Sequence, residues 1–222
     1  MPYAVDTDEV KNYEIGWKTE LFQNSLRFNG AAFFVEVEGL QTTIFDPSIV
    51  NLFYSDNAAN AELQGLEGDF TWAPDSIDGL TLAGAFSLLD TEITEVLVPT
   101  DDVVEGSDLA FAPSWQGNLR ARYEWDLDQQ IAGQRLRAHV MPQVVFSDDS
   151  VSDVIEINKM ELDGYVTLGA TAGVTADNWS AELFGTNLTN EYAALSASFI
   201  FDRERITPMR PRTIGVRVSY DY

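Results

Sequence analysis

The final ten residues of the chain, 213–222, read Thr-Ile-Gly-Val-Arg-Val-Ser-Tyr-Asp-Tyr. Apolar and polar side chains alternate strictly through this stretch, which predicts a β-strand with one apolar and one polar face. The apolar set consists of Ile214, Val216, Val218, Tyr220 and Tyr222. A membrane barrel suits this set, because the apolar face meets lipid and the closing tyrosines lie at headgroup level. An edge strand of a soluble β-sandwich is the alternative on this stretch alone.

Composition narrows the partners and sites that the chain can have. The 222 residues carry a formal net charge of −23, with one histidine and no cysteine. Electrostatic repulsion argues against nucleic acid and anionic lipid surfaces as partners. The lack of cysteine excludes disulfides and thiolate metal sites. No apolar run approaches the roughly 20 residues that a membrane helix requires, but barrel strands escape this criterion because only alternate residues are apolar.

Nine segments of the chain have strand-like patterns. They cover residues 12–21, 26–44, 58–72, 80–96, 113–125, 135–147, 161–174, 179–192 and 213–222. Short connections of about 4 to 9 residues alternate with long ones of about 13 to 19 residues. Outer-membrane barrels have short periplasmic turns and long extracellular loops, whereas a sandwich mixes hairpins and crossovers. We therefore predict an all-β fold, an antiparallel up-and-down transmembrane β-barrel.

Aromatic residues concentrate near the ends of these segments. One group adjoins the short turns or the C-terminus and consists of Trp72, Tyr123, Trp125, Trp179, Tyr220 and Tyr222. A second group, near the opposite ends, consists of Tyr13, Phe34, Trp115 and Tyr192. Two such girdles are expected where amphipathic rings lie at both membrane interfaces. Within segment 135–147, Pro142 cannot donate to a strand ladder and predicts a bulge.

Five stretches resemble motifs of the TonB-dependent outer-membrane receptors. They are residues 11–18 (KNYEIGWK), 26–34 (LRFNGAAFF), 65–69 (GLEGD), 179–192 (W followed by NLTNEY) and 210–215 (RPRTIG). The motifs follow the family's order along almost the whole chain. The resemblance is therefore specific for the family, although it does not identify a substrate.

The resemblance implies a partial barrel of about nine strands. Receptors of this family have 22 strands around a lumen that a plug domain fills. We expect residues 1–222 to form the C-terminal portion of such a barrel, with the plug domain and the first strands preceding residue 1. Nine strands leave two open edges, at 12–21 and 213–222.

The implied function is energy-coupled uptake across the outer membrane of a scarce nutrient such as a ferric siderophore, cobalamin or a glycan. The implied partners are outer-membrane lipid, the barrel assembly machinery, the TonB energy-coupling complex through the N-terminal part, and a small-molecule or glycan ligand. The alternatives are a soluble extracellular β-sandwich binding module and a passive porin-type barrel.

Few residues suggest chemistry. No nucleophile motif such as G-x-S-x-G occurs, and we expect no enzyme activity, cofactor or metal site. His139 is predicted to face the lumen as an ordinary polar residue. Acidic residues in 101–108 and 148–156 lack the spacing of a calcium loop and are interpreted as solvated loops.

Two sets of residues are candidates for function. The apolar face of the last strand (Ile214, Val216, Val218, Tyr220 and Tyr222) is the predicted assembly signal. In the last loop, Arg203, Arg205 and Arg210 belong to the one basic concentration of an acidic chain and are candidate contacts for an anionic ligand. Pairing of these arginines with neighbouring carboxylates is the alternative.

Overall fold

The computed structural model of the protein describes residues 5–46, 52–98, 100–131, 133–200 and 203–221. Its strands are β1 Glu9–Leu21, β2 Leu26–Asp46, β3 Leu52–Trp72, β4 Leu80–Val96, β5 Trp115–Ile131, β6 Gln134–Ser147, β7 Ser150–Val151, β8 Glu161–Leu162, β9 Tyr165–Thr175, β10 Trp179–Thr186, β11 Ala194–Ile200, β12 Arg203–Pro208 and β13 Thr213–Tyr220. The helical element is one 3₁₀ turn, Glu156–Asn158. Within the described ranges no helix is long and apolar enough to cross a membrane.

Nine of the strands form one antiparallel sheet in the order β1-β2-β3-β4-β5-β6-β9-β10-β13. Every neighbour in this sheet is the next long strand along the chain, so the sheet is an up-and-down meander, as predicted. The short strands β7 and β8 pair within the connection between β6 and β9, and β11 and β12 pair within the connection between β10 and β13. Strands β1 and β13 are the sheet edges, and their described residues do not contact each other.

The register gives the sheet one apolar and one polar face. Residues paired across neighbouring strands lie on the same face, because successive side chains of a strand point to opposite sides. On one face Ala172 pairs with Leu183, which pairs with Val216. On the other face Gln116 pairs with Ser147, which pairs with Tyr165. The apolar face continues across all nine strands, which is the pattern of a barrel wall between lipid and a wet lumen.

The aromatic residues lie at the two ends of this apolar face. At the short-turn end Trp179 pairs with Tyr220, and the rings of Tyr123 and Trp125 stack at 5.7 Å. At the opposite end the rings of Trp115 and Phe146 lie 4.3 Å apart. Described members of both predicted aromatic groups thus lie at the two ends of the apolar face, whereas Tyr192 lies in the connection after β10 and Tyr222 lies outside the described residues.

The connection after β2 is shorter than predicted. Residues 45–57 were expected to form a long polar loop, but most of them continue β2 and β3 as a projecting hairpin in which Thr43 pairs with Ser55. Gly39, at φ +71°, makes the irregularity that lets the hairpin bend. The Asn57 side chain stabilises the bend by donating to Gly39 O at 2.7 Å and accepting from Asp6 N at 2.7 Å. The prediction that short and long loops alternate strictly is therefore wrong at this connection.

Smaller differences concern strand ends and one proline. Segment 113–125 forms a strand from Trp115 to Ile131, and segment 179–192 ends as a strand at Thr186. Segment 161–174 is divided into β8 and β9. Pro142 keeps the register between β6 and β9, opposite Ala170, so the predicted bulge is absent there. The irregularity between β5 and β6 lies instead near the short turn, after Leu127.

Candidate functional site

The predicted assembly signal lies on the exposed edge strand β13. Ile214, Val216, Val218 and Tyr220 all point from the apolar face and are 59–71% exposed. Their partners on β10 are Gly185, Leu183, Ala181 and Trp179. Tyr222 lies outside the described residues. The four described members form one continuous apolar strip along the last strand.

The three candidate arginines are exposed at the long-loop end. Arg203 and Arg205 lie on β12, opposite Ile200 and Ser198 of β11, and Arg210 follows that hairpin. In the described part of the chain, none of the three lies within ion-pair distance of a carboxylate. The alternative pairing with Asp202 falls outside the described residues.

Two asparagines in the NLTN stretch organise the loop that carries these arginines. Asn187 is 8% exposed with φ +49°, a region in which asparagine is tolerated. Its side chain accepts from Glu191 N at 2.8 Å and donates to Glu191 O and Arg210 O at 2.9 and 3.1 Å. Asn190, at φ +56°, accepts from Arg212 N. The asparagines thus tie the first turn of the loop to its last residues, a role that Asx-turn chemistry in this stretch could have indicated.

Ionic groups cluster on the polar face of the sheet. His139 is 2% exposed, and its Nε2 atom lies 3.2 Å from Oε1 of Glu182 without the angle of a hydrogen bond. Oε2 of the same glutamate accepts from Arg217 at 3.0 Å. Gly173 lies between these side chains, since a Cβ there would come within 2.9 Å of His139. His139 therefore faces the polar side, as predicted, but it is buried within an ionic cluster that joins β6, β10 and β13.

The long connections 97–114 and 148–164 pack against each other at the end of the sheet away from the short turns. Ala59, Ile93, Val103 and Ile155 form a core at most 3% exposed. Backbone bonds join the two connections: Glu156 N donates to Asp102 O, and Phe111 N donates to Val151 O. Strand β11 of the last connection packs beside β8 and the 3₁₀ turn. The three long connections therefore form one ordered layer, stabilised by burial of apolar side chains.

An open cavity of about 160 Å³ lies where this layer meets the polar face. Gln116, Ser147 and Tyr165, at the ends of β5, β6 and β9, form its floor. The loop layer supplies its apolar walls, among them Phe111, Leu162 and Leu195. Phe111 is half exposed at φ +57°, an unusual backbone conformation for a bulky residue.

Two carboxylates line the cavity. The Ser114 hydroxyl donates to Asp148 Oδ2 at 2.6 Å, and the N–H of Asp149 donates to Oδ1 at 3.1 Å. These two bonds lower the pKa of Asp148, which is therefore ionised at neutral pH. Asp163 also lines the cavity, and the lining contains no basic side chain. The described residues hold no group of three or more histidine and carboxylate side chains placed to bind a metal ion.

A larger depression lies on the polar face of strands β1 to β4. It encloses about 630 Å³, and its lining includes Glu14, Lys18, Asn29, Glu67 and Asp69. Asn29 Nδ2 donates to Asp69 Oδ2 at 3.2 Å. The depression is wide and open, and its lining also includes apolar residues such as Trp17 and Phe86.

Comparison with known proteins identifies the family. The family described as TonB dependent receptor-like, beta-barrel, matches residues 6–188. The metal-pseudopaline receptor CntO of Pseudomonas aeruginosa UCBPP-PA14 is 25% identical over 222 residues, which are 99% of this chain and 28% of that receptor.

Solved structures show the same fold. The ferric yersiniabactin uptake receptor FyuA from Yersinia pestis superposes with a TM-score of 0.74 at 16% identity, covering 97% of this chain and 30% of that one. The siderophore receptor PiuA from Acinetobacter baumannii has a TM-score of 0.73 at 20% identity, covering 98% and 29%. The chain thus spans less than a third of the length of these relatives. The nine-stranded meander and the match over most of its length place this outer-membrane chain in the TonB-dependent receptor β-barrel family.

Proposed function

We propose that residues 1–222 form the C-terminal portion of the barrel of a receptor that takes up a metal chelate across the outer membrane. The observation that carries the proposal is the ordered loop layer, which packs at one end of the sheet and borders an open cavity on the polar face. A passive pore has no need of such a cavity. The names of the relatives, which are receptors for metal-pseudopaline, ferric yersiniabactin and a siderophore, support a metal chelate as the ligand class.

The proposal assigns the remaining strands and the plug domain to polypeptide outside this sequence. The open edges support this assignment, because unpaired backbone groups on β1 and β13 cost several kcal/mol each in hydrocarbon. Energy reaches the receptor from the TonB complex through that additional part. Outer-membrane lipid covers the apolar face.

We assign Arg203, Arg205 and Arg210 to contact with anionic groups of the chelate. They are exposed on the last loop, and a guanidinium binds carboxylate groups through paired hydrogen bonds. Replacement of Arg203 and Arg205 together by serine should raise the concentration needed for half-maximal uptake about a hundredfold, since two charged hydrogen bonds of roughly 1.5 kcal/mol each are lost. The matched control is Arg27→Ser, which removes an exposed arginine at the short-turn end.

Transport itself is tested by uptake of ⁵⁵Fe-yersiniabactin and of ⁶⁵Zn-pseudopaline by cells with and without the protein. We expect saturable accumulation of at least one chelate that stops when a protonophore abolishes the proton-motive force. Uptake that rises linearly with concentration and ignores the protonophore would instead establish the porin-type alternative.

The apolar strip of β13 is proposed as the signal for the barrel assembly machinery. Its side chains are exposed on an unpaired edge, where another strand can add by backbone pairing. Deletion of Tyr222 should lower the amount of protein in the outer-membrane fraction, measured by quantitative immunoblotting. Deletion of the lumen-facing side chain by Ser219→Gly serves as the control. Equal amounts of the Tyr222 deletion and the parent protein would refute the assignment.

A further inference from the structure

The size and lining of the cavity at the loop end of the polar face restrict which chemical groups it can bind. It encloses about 160 Å³ and is open on one side. One small functional group can lie inside it while the rest of a chelate extends through the open side. Its occupant must satisfy both the polar floor and the apolar walls.

Both charged side chains that line the cavity are acidic. Asp148 and Asp163 line it, and within connections 97–114 and 148–164 the single basic residue, Lys159, is joined to Glu156 by an ion pair. Among the described residues, no hydrogen bond or ion pair engages the Asp163 carboxylate. A concave site lined by carboxylates concentrates cations, because its low-dielectric walls focus the field.

The uncharged lining favours an organic cation over a hydrated metal ion. The lining offers hydroxyl and amide groups of Ser147, Ser150 and Gln116, which accept hydrogen bonds from an ammonium group. The rings of Phe111 and Tyr165 and the side chain of Leu195 offer apolar contact to a short stem. A bare divalent ion would gain nothing from these walls.

We propose that this cavity binds a primary ammonium group on a short aliphatic stem, carried by the ligand that the receptor takes up. The inference rests on the proposed function, and it names one chemical feature of the substrate. Because the exposed arginines suit anionic groups, the complete ligand carries charges of both signs. The loop end of the polar face thus distinguishes zwitterionic chelates from chelates that bear only acidic groups.

The test uses n-butylammonium as the probe and n-butanol as its neutral counterpart of equal size. Saturation-transfer NMR is recorded on the protein in isolated outer membranes, with membranes that lack the protein as the blank. We expect protein-dependent transfer to n-butylammonium and at least tenfold less to n-butanol. Equal transfer to both probes would overturn the proposal, because the carboxylates would then contribute no selectivity.

Three variants locate the probe. Asp148→Asn retains an acceptor for Ser114, so the loop should stay folded while transfer to n-butylammonium falls at least fivefold. Asp101→Asn removes an exposed carboxylate of the same loop layer that is not part of the lining, and it should leave transfer unchanged. Ala194→Leu fills the cavity without changing its charge and should abolish transfer.

Retained binding in Ala194→Leu would place the probe on the acidic surface and overturn the cavity assignment. Resistance of the loop layer to proteinase K is measured for each variant, so a loss of binding in a folded variant supports the proposal. The binding experiment and the uptake experiment test different statements. Chelate uptake without n-butylammonium binding refutes this inference alone, and binding without uptake refutes the proposed function alone.

Discussion

Substitution of Leu119 by arginine tests the assignment of the apolar face to lipid. Leu119 lies on β5 midway between Trp115 and Tyr123, is 43% exposed, and pairs with Gly84 and Val144. Eight residues at about 3.4 Å each, tilted by about 40°, separate the two aromatic residues by about 21 Å along the membrane normal. Leu119 is therefore about 10 Å from each aromatic residue, near the middle of an apolar band that is about 25 Å thick.

An arginine at that depth should lower the free energy of unfolding by a predictable amount. Cationic side chains at the midplane of a lipid-facing barrel surface destabilise the folded barrel by about 2–4 kcal/mol. In urea that leaves half of the parent protein folded, a loss of 2 kcal/mol leaves only about 3% of the variant folded, and larger losses leave less. The assay is resistance to trypsin in isolated outer membranes, titrated with urea and quantified on gels.

The neighbouring residue provides the matched control. Asn118 lies on the polar face of the same strand, opposite Ala85 and Val145. Arginine at 118 should change the free energy of unfolding by less than about 0.5 kcal/mol, because a surface substitution in a wet lumen disturbs little. Equal losses at both positions, or a larger loss at 118, would refute the assignment of the two faces.

Two further predictions concern the turns and the loops. Gly79→Ala should destabilise the folded state by at least about 2 kcal/mol in the same urea titration, because φ is +79° and the added Cβ would lie 2.0 Å from Glu124 O. Gly133→Ala should destabilise the folded state by only about 1 kcal/mol, since φ is +81° but no atom lies within 4 Å of the added Cβ. Equal losses of stability in the two variants would show that the contact with Glu124 is unimportant. Protease added to intact cells should cut within 97–114 or 187–212 and spare 176–178, as detected by mass spectrometry of the fragments. Cleavage at 176–178 would show that the short turns, and not the long connections, face the outside of the cell.

The sequence predicted the strands well because alternation is a local property. A period of two over eight or more residues, as in 213–220, depends on the backbone alone. Segment 80–96 and strand β4 have the same bounds for this reason. The paired ends 41–46 and 52–57 were missed because their polar residues also suit a loop, and only pairing with the facing strand makes them extended.

The candidate site was only partly predictable. The sequence indicated that the arginines at 203, 205 and 210 lie in a long loop, and the structure places them there, exposed. The cavity was not predicted, because its lining comes from four separate stretches between Phe111 and Leu195. No local pattern marks residues that meet only after the loops have packed.

The amino-acid sequence by itself determined the strand pattern, the two chemically different faces and the family, since each follows from short stretches read in order. The tertiary structure alone decided which loops meet, why His139 is buried beside Glu182, and where the cavity of the loop layer lies. The physical reason is that these contacts join residues distant in the chain. They form only when register and apolar burial have fixed the strands and the loop layer relative to one another.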